Sequence, residues 1–126
     1  LRLPFVADGT AFPQLPIASL TSELDRMVKR LPGDRATTLW VGMPAQHLIV
    51  KGHAAVSVSS FERMGQNIAQ LQRQGDVAII YLIETPLDRD MEPVFGSPRK
   101  LLRRVSSRVV ERAGGVMPIT VHQIGR

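Results

Sequence analysis

The longest apolar pattern in the chain covers residues 46–84 and predicts a strand, a helix and a second strand. Residues 47–51 are mainly apolar and are followed by Gly52, which is typical of a short strand. Ser60 then precedes apolar residues at positions 61, 64, 68 and 71, which fall on one face of a helix. Residues 77–83 are almost uninterruptedly apolar and rich in β-branched side chains. They predict a central strand covered on both faces.

The segments before this pattern predict one helix and further strands. A helix beginning near Ser19 or Thr21 has basic residues in its last turn and ends at Pro32-Gly33. Its apolar stripe consists of Leu20, Leu24, Met27, Val28 and Leu31. Residues 37–43 predict a strand that pairs with residues 47–51 as a hairpin, and residues 54–59 fit either an edge strand or a loop.

The C-terminal third predicts a loop over residues 87–96, a helix and a closing strand over residues 117–124. Ser97 and Pro98 begin the helix as N-cap and first residue, and Gly114-Gly115 ends it. Its inward-facing residues are Leu101, Leu102, Val105, Val109 and Val110. The whole pattern predicts a small α/β two-layer sandwich, with a mixed sheet of about four strands and three helices. Residues 1–16, with three prolines, form an extended lead-in to a single domain over residues 17–126.

Composition limits the classes of function. The chain of 126 residues is long enough to bury the core of one domain. It has no cysteine, which excludes disulfides, thiol catalysis and cysteine-ligated zinc. No apolar run is long enough for a membrane span, and the first residues do not form a signal peptide. Because the chain begins with Leu1, we expect it to be a mature or excised piece of a longer protein.

The positive charge is concentrated in one segment. Residues 99–112 contain six basic residues and one acid, a local excess that equals the net charge of +5 of the whole chain. Arg103, Arg104 and Arg108 lie on the predicted third helix, where they could bind acidic groups of a protein partner or of a second copy. Binding of nucleic-acid phosphates is the alternative, but few aromatic residues lie nearby to stack on bases.

Acidic residues follow the predicted central strand. Glu84, Asp88, Asp90 and Glu92 lie beyond its carboxyl end, where open α/β sheets commonly bind ligands. In one interpretation Glu84, Asp88 and Asp90 hold Mg²⁺ for chemistry on nucleic acid. In the other they belong to a solvated loop that offsets the arginines. The chain has no nucleophile elbow, no glycine-rich phosphate loop and no helical histidine pair, so we predict no catalytic residue and no cofactor.

Part of the chain resembles the periplasmic N-modules of secretins, the outer-membrane ring channels of secretion systems. The resemblance covers Leu48-Ile49-Val50-Lys51-Gly52, a helix that contains Ile68 and Leu71, and a strand with Tyr81-Leu82. Gln72 stands where these modules usually have aspartate. The modules have K-homology-like folds and pack side by side in rings. The resemblance therefore implies assembly without catalysis, in the periplasm or envelope.

A second resemblance, to the Toprim fold of primases and topoisomerases, rests on the strand before Gly52 and on Asp88-Arg89-Asp90. It implies a metal site, yet Lys51 stands where that family has a glutamate ligand. We therefore expect a non-catalytic interaction or assembly module of a bacterial envelope or secretion machine. The alternative is a metal-dependent enzyme or binding domain acting on nucleic acid, for which a cytoplasmic location would be expected.

Overall fold

The computed structural model describes residues 14–56, 60–114 and 118–125. These residues form a mixed α/β structure of six helices and five strands. In chain order the elements are α1 (Gln14–Arg30), β1 (Thr38–Val41), α2 (Ala45–Val50), β2 (Ala55–Val56), α3 (Phe61–Gln74), β3 (Ile79–Glu84), α4 (Leu87–Asp90), α5 (Glu92–Phe95), α6 (Pro98–Arg104), β4 (Ser107–Ala113) and β5 (Ile119–Ile124).

All five strands belong to one sheet with the order β2-β1-β3-β5-β4. Strand β1 is parallel to β2 and β3, whereas β5 is antiparallel to β3 and β4. The predicted α/β class and mixed sheet are confirmed, and β3 is the middle strand, as its apolar run predicted. The sheet has one strand more than the predicted four, because residues 107–113 form β4.

Two hydrophobic clusters lie on opposite faces of the sheet, because successive side chains of a strand point to opposite sides. Ile80 and Leu82 of β3 pack under α3 and α6, whereas Tyr81 and Ile83 pack under α1 and α2. Helices therefore cover both faces, and the domain has three layers rather than the two we predicted. The physical reason is β3 itself, whose four central residues are all apolar and need cover on both sides.

Helix α1 confirms its predicted stripe, since Leu20, Leu24 and Met27 are buried. It begins at Gln14, so residues 14–16 are helical rather than part of an extended lead-in, and the rest of that segment lies outside the described residues. Helix α3 is also confirmed, with Ser60 Oγ accepting a hydrogen bond from the Arg63 amide. Among the described helices, none combines the length and apolar character needed to cross a membrane.

The predicted strand over residues 47–51, and with it the hairpin, is wrong. Residues 45–50 form helix α2, which buries Ala45 and Leu48 while Val50 is 76 % exposed. The three-residue spacing of Ala45 and Leu48 places both on one helical face. Two positions are too few for the sequence pattern to distinguish a helix from a strand. A connection of this kind lets β1 and β2 run parallel, which a tight hairpin does not permit.

Two predictions in the C-terminal third are also wrong. Residues 87–96 form the short helices α4 and α5 rather than a loop, and helix α6 ends at Arg104 instead of continuing to Gly114. Residues 107–113 pair with β5, which gives the β-branched Val109 and Val110 a strand environment. Val109, which we predicted to face inward, is 43 % exposed. Pairing with a distant strand thus overrides a helical spacing of apolar residues.

Gly42 makes the junction after β1 possible. Its φ of +143° lies in a region that side chains with a Cβ rarely adopt. A Cβ at this position would also lie only 2.7 Å from the carbonyl oxygen of Ile83 in β3. The backbones of β1 and β3 therefore approach each other closely at this end of the sheet, and only glycine fits there.

We predict that Gly42→Ala lowers the free energy of unfolding by at least about 2 kcal/mol, because backbone strain and a backbone clash add together. Gly114→Ala is the matched control, since Gly114 has no positive φ and a Cβ added there would have no neighbour within 4 Å in the described part of the chain. Urea denaturation of both variants measures the difference. Equal unfolding free energies for the two variants would contradict the proposed role of Gly42.

Candidate functional site

The carboxyl end of β3 brings together an acidic, a basic and a histidine side chain. His122 Nε2 lies 2.9 Å from Glu84 Oε1, and Arg99 Nε lies 2.9 Å from Glu84 Oε2. The Glu84 and His122 side chains are only 15 % and 7 % exposed, whereas that of Arg99 is 69 % exposed. Both oxygens of Glu84 are thus engaged inside the protein, and Arg99 covers the pair from the solvent side.

The sheet register explains this grouping. Leu82 is opposite His122 and Glu84 is opposite Thr120, so Glu84 and His122 lie diagonally on the face that α6 covers. Arg99 reaches Glu84 from the first turn of α6, whose position is set by Ser97 Oγ accepting from the Arg99 amide. Sequence reasoning missed His122 and Arg99 as partners of Glu84. No local signal could have found these contacts, because they depend on which strand lies beside β3 and on where α6 packs.

Asp88 has a defined structural role. Its Oδ2 accepts a hydrogen bond of 2.8 Å from the Thr85 amide, while Thr85 Oγ1 accepts one of 3.2 Å from the Leu87 amide. Together these two bonds fix the turn of residues 85–88 through which the chain enters α4. Asp88 is only 4 % exposed, and its Oδ1 has no hydrogen-bond partner among the described residues. Burial raises the pKa of Asp88 to about 6, the Thr85 amide opposes the rise, and Glu84 adds to it.

The acidic residues predicted to act together line one cleft of about 540 Å³ beyond β3, which we call the acidic cleft. They do not converge as metal ligands. Glu84 is bound by His122 and Arg99, Asp88 accepts a hydrogen bond from the Thr85 amide, and Asp90 is exposed at the end of α4. Residues two apart on a helix do not face each other, so Asp88 and Asp90 diverge. Within the described ranges, no group of three or more histidine and acidic side chains could hold a metal ion.

The three arginines predicted to bind a partner do not share a helix. Arg103 and Arg104 lie in the last turn of α6, whereas Arg108 belongs to β4. Arg108 is opposite Gln123 and donates to its Oε1 at 3.2 Å. Gln123 in turn is opposite Tyr81, which packs under α1. Arg108 is therefore on the α1 face and α6 covers the other face, which corrects our prediction of one continuous arginine surface.

Strand β4 is an edge of the sheet, and no strand of the described chain pairs with its outer side. Its residues are mostly exposed, including Arg108, Val109 and Arg112. Glu111 is paired with Arg30 of α1 at 3.0 Å, so its negative charge is balanced within the domain. Arg103, Arg104, Arg108 and Arg112 have no acidic side chain within ion-pair distance among the residues described. We call β4 with these four arginines the basic edge.

The pKa of Asp88 predicts how stability depends on pH. Because the folded pKa of about 6 exceeds the ordinary value of 3.8, the folded state binds the proton more tightly than the unfolded state does. The contribution of Asp88 is therefore most favourable below about pH 4 and is lost as pH rises through about 6. Linkage sets the size of this loss at about 3 kcal/mol or less.

Chemical denaturation between pH 4 and 7.5 tests this prediction. We expect Asp88→Asn to lack the fall in unfolding free energy that the unmodified protein shows over this range, while the amide oxygen still accepts from Thr85. Asp90→Asn, an exposed neighbour, is the control and should keep the original profile. Parallel pH profiles for the unmodified protein and Asp88→Asn would contradict the assignment.

Comparison with known proteins leaves the site to be interpreted from its own chemistry. No protein-family model matches the chain, and no significant match was found among curated proteins or solved structures.

Proposed function

We propose that the domain is a non-catalytic interaction module that binds an extended acidic segment of a partner protein along the basic edge. The observation behind the proposal is the open side of β4 together with the four arginines of the basic edge, which have no acidic partner among the described residues. An exposed sheet edge presents backbone amides and carbonyls that an extended segment can pair with as an added strand. Side chains then provide the specificity of such an interaction.

The charges of the basic edge fit an acidic strand with residues on both of its faces. Arg108 lies on the α1 face, whereas Arg112 is opposite Thr120 on the face that α6 covers. Arg103 and Arg104 lie at the end of α6 on that second face. Side chains of an added strand alternate between the two faces, so acidic residues at successive positions would each meet an arginine.

The burial of Asp88 and His122 supports a role without catalysis. A catalytic group has to reach the substrate, yet Asp88 and His122 are 4 % and 5 % exposed. Glu84 binds its protein neighbours through both oxygens, and Asp88 has a structural role in its hydrogen bond from the Thr85 amide before α4. These residues are better explained as the support of the β3 end and of α4 than as an acid–base site.

The secretin resemblance supplies the proposed setting, a bacterial envelope or secretion-type assembly. Of the elements behind that resemblance, α3 and β3 have the expected structure, and residues 48–50 are helical instead of extended. Fractionation of cells that make the full-length protein tests the compartment. Recovery in the periplasm or envelope is the expected result, and a purely cytoplasmic protein would contradict this part of the proposal.

The metal-dependent alternative has a direct discriminating measurement. A ligand that binds only the folded state raises the melting temperature by mass action. We expect millimolar Mg²⁺ or Mn²⁺ to leave the melting temperature within error of that in matched ionic strength without the metal. A rise that is abolished by Asp88→Asn or Glu84→Gln would instead favour the metal site.

Photocrosslinking from β4 tests the interaction itself. A benzophenone side chain at position 109, in the full-length protein in its own cells, should crosslink to a protein. We expect the yield to fall at least fivefold in the Arg104→Glu/Arg108→Glu variant, because reversed charges repel an acidic segment. The matched control is Arg63→Glu/Arg73→Glu, which makes the same change in net charge on exposed positions of α3.

Circular dichroism and thermal melting establish that both double variants are folded. Crosslinking to a second copy of the chain would identify self-association as the use of this edge. An unchanged crosslink in the Arg104→Glu/Arg108→Glu variant would contradict the proposed role of the arginines. A crosslinked product whose added mass is removed by nuclease would replace the protein partner with a nucleic acid.

A further inference from the structure

A second cleft, of about 430 Å³, lies at the amino end of β1 on the α1 side of the sheet. Its walls come from the end of α1, the loop of residues 31–35, the start of β1 and the turn of residues 51–53. Its volume is within the usual range for small-molecule sites, about 300–1,000 Å³. We call it the β1 cleft. No residue of this cleft takes part in the basic edge or in the acidic cleft.

The two acids of the β1 cleft are engaged within the protein. Asp25 Oδ1 lies 2.9 Å from His47 Nε2. Asp34 Oδ1 accepts hydrogen bonds of 2.9 Å from both the amide and the hydroxyl of Thr37. These bonds hold the pKa of each carboxyl below its usual value, with Lys51 and Lys29 adding a smaller effect at Asp25. Both acids are therefore ionised at neutral pH and already have donors.

The basic residues of the β1 cleft keep most of their hydrogen-bond donors available. Lys29, Arg35 and Lys51 are exposed, and no acidic side chain in the described part of the chain lies within ion-pair distance of them. Arg35 uses one donor, Nη1, on the Lys51 carbonyl at 3.1 Å. Burial, and then Arg35, lower the pKa of His53, so this histidine is neutral at pH 7. The cleft thus contains three cations, together with two carboxylates whose Oδ1 atoms already contact side chains of the protein.

The base of the β1 cleft is apolar and held in place. Val28, Leu31 and Trp40 line it, and Trp40 packs against Tyr81 with ring centroids 4.6 Å apart. The Tyr81 hydroxyl donates a 2.6 Å hydrogen bond to the Pro32 carbonyl, which fixes the loop over the cleft. The Thr38 hydroxyl is also buried in this wall, without a hydrogen-bond partner among the described residues. A ligand would therefore meet a preformed apolar surface below the three cations.

We propose that the β1 cleft binds a small organic anion, in which a compact apolar body rests on the floor and a carboxylate or phosphate group contacts Lys29, Arg35 and Lys51. Charge-assisted hydrogen bonds from these cations to the anionic group would be the stronger interactions, and the apolar body of the ligand would be buried against the floor. Neutral and cationic molecules of the same shape lack the group that the cations recognise.

The single tryptophan of the chain makes the cleft directly observable, because Trp40 lies in its wall. The full chain is titrated with benzoate and with phenyl phosphate at constant ionic strength while tryptophan fluorescence is recorded. Benzyl alcohol and benzylamine are the neutral and cationic comparisons. We expect saturable fluorescence changes with at least one anion. Saturation by benzoate assigns a carboxylate ligand, and saturation by phenyl phosphate assigns a phosphate ligand.

Variants connect the signal to the cations. Lys29→Met/Lys51→Met should weaken anion binding at least tenfold, whereas Lys100→Met, on exposed α6 outside the cleft, should leave it unchanged. As a measurement independent of variants, 0.5 M NaCl should weaken binding of the anion to the unmodified protein. The proposal is overturned if neither anion gives saturation, if benzyl alcohol gives the same response, or if the double lysine variant binds as tightly as the unmodified protein.

Discussion

The burial of the four central residues of β3 is the constraint on which the rest of the structure depends. Residues 80–83 are each at most 2 % exposed, and their side chains alternate between two separate hydrophobic clusters. One cluster requires α3 and α6, and the other requires α1 and α2. Burial of four large side chains is worth several kcal/mol by the usual area relation, a large part of the stability of a small domain. The layer order of the domain follows from this one strand.

The position of β3 also determines what the surface can do. Its carboxyl end lies between two layers of cover, so Glu84 and Asp88 are held in bonds with His122, Arg99 and Thr85 instead of being free in a loop. The sheet can extend only sideways, through β1 and β2 on one side and through β5 and β4 on the other. The described part of β2 covers Ala55–Val56, whereas β4 covers Ser107–Ala113 and, among the residues described, its Arg108 and Arg112 have no acidic side chain within ion-pair distance. The proposed interaction is therefore assigned to the edge that β4 forms.

The sequence predicted those elements that have a long apolar pattern or a recognisable N-cap residue. Helix α3 has four apolar residues on one face and Ser60 as its N-cap, and β3 has an unbroken apolar run; both are confirmed. Prediction failed where local and distant preferences disagree. Leucine, isoleucine and valine are common in strands, which favours a strand at residues 48–50. The three-residue spacing of Ala45 and Leu48 instead places both on one helical face, and α2 packs this face on the sheet. Residues 109 and 110 fit a helical spacing as well as a strand, and the pairing of this segment with β5 makes it a strand.

The same distinction applies to the sites. The location of Glu84 and Asp88 near the carboxyl end of the central strand follows from the sequence, because it needs only the order of elements. The hydrogen bond between Glu84 and His122 joins residues 38 positions apart, and it depends on which strand lies beside β3. The β1 cleft depends on the loop of residues 31–35 meeting the turn of residues 51–53, which no local pattern specifies. The positions of these residues relative to the strands were therefore predicted better than the contacts of their side chains.

Native-state hydrogen exchange of the backbone amides is the most direct test of a fully covered β3 beside an open β4, since it reports on both strands in one experiment. We expect the β3 amides to exchange only through global unfolding and to be the slowest in the domain. Alternate amides along β4 should exchange orders of magnitude faster, because they point away from β5 and have no partner strand. Uniformly slow exchange along β4, equal to that of β3, would contradict an open edge beside a fully covered central strand.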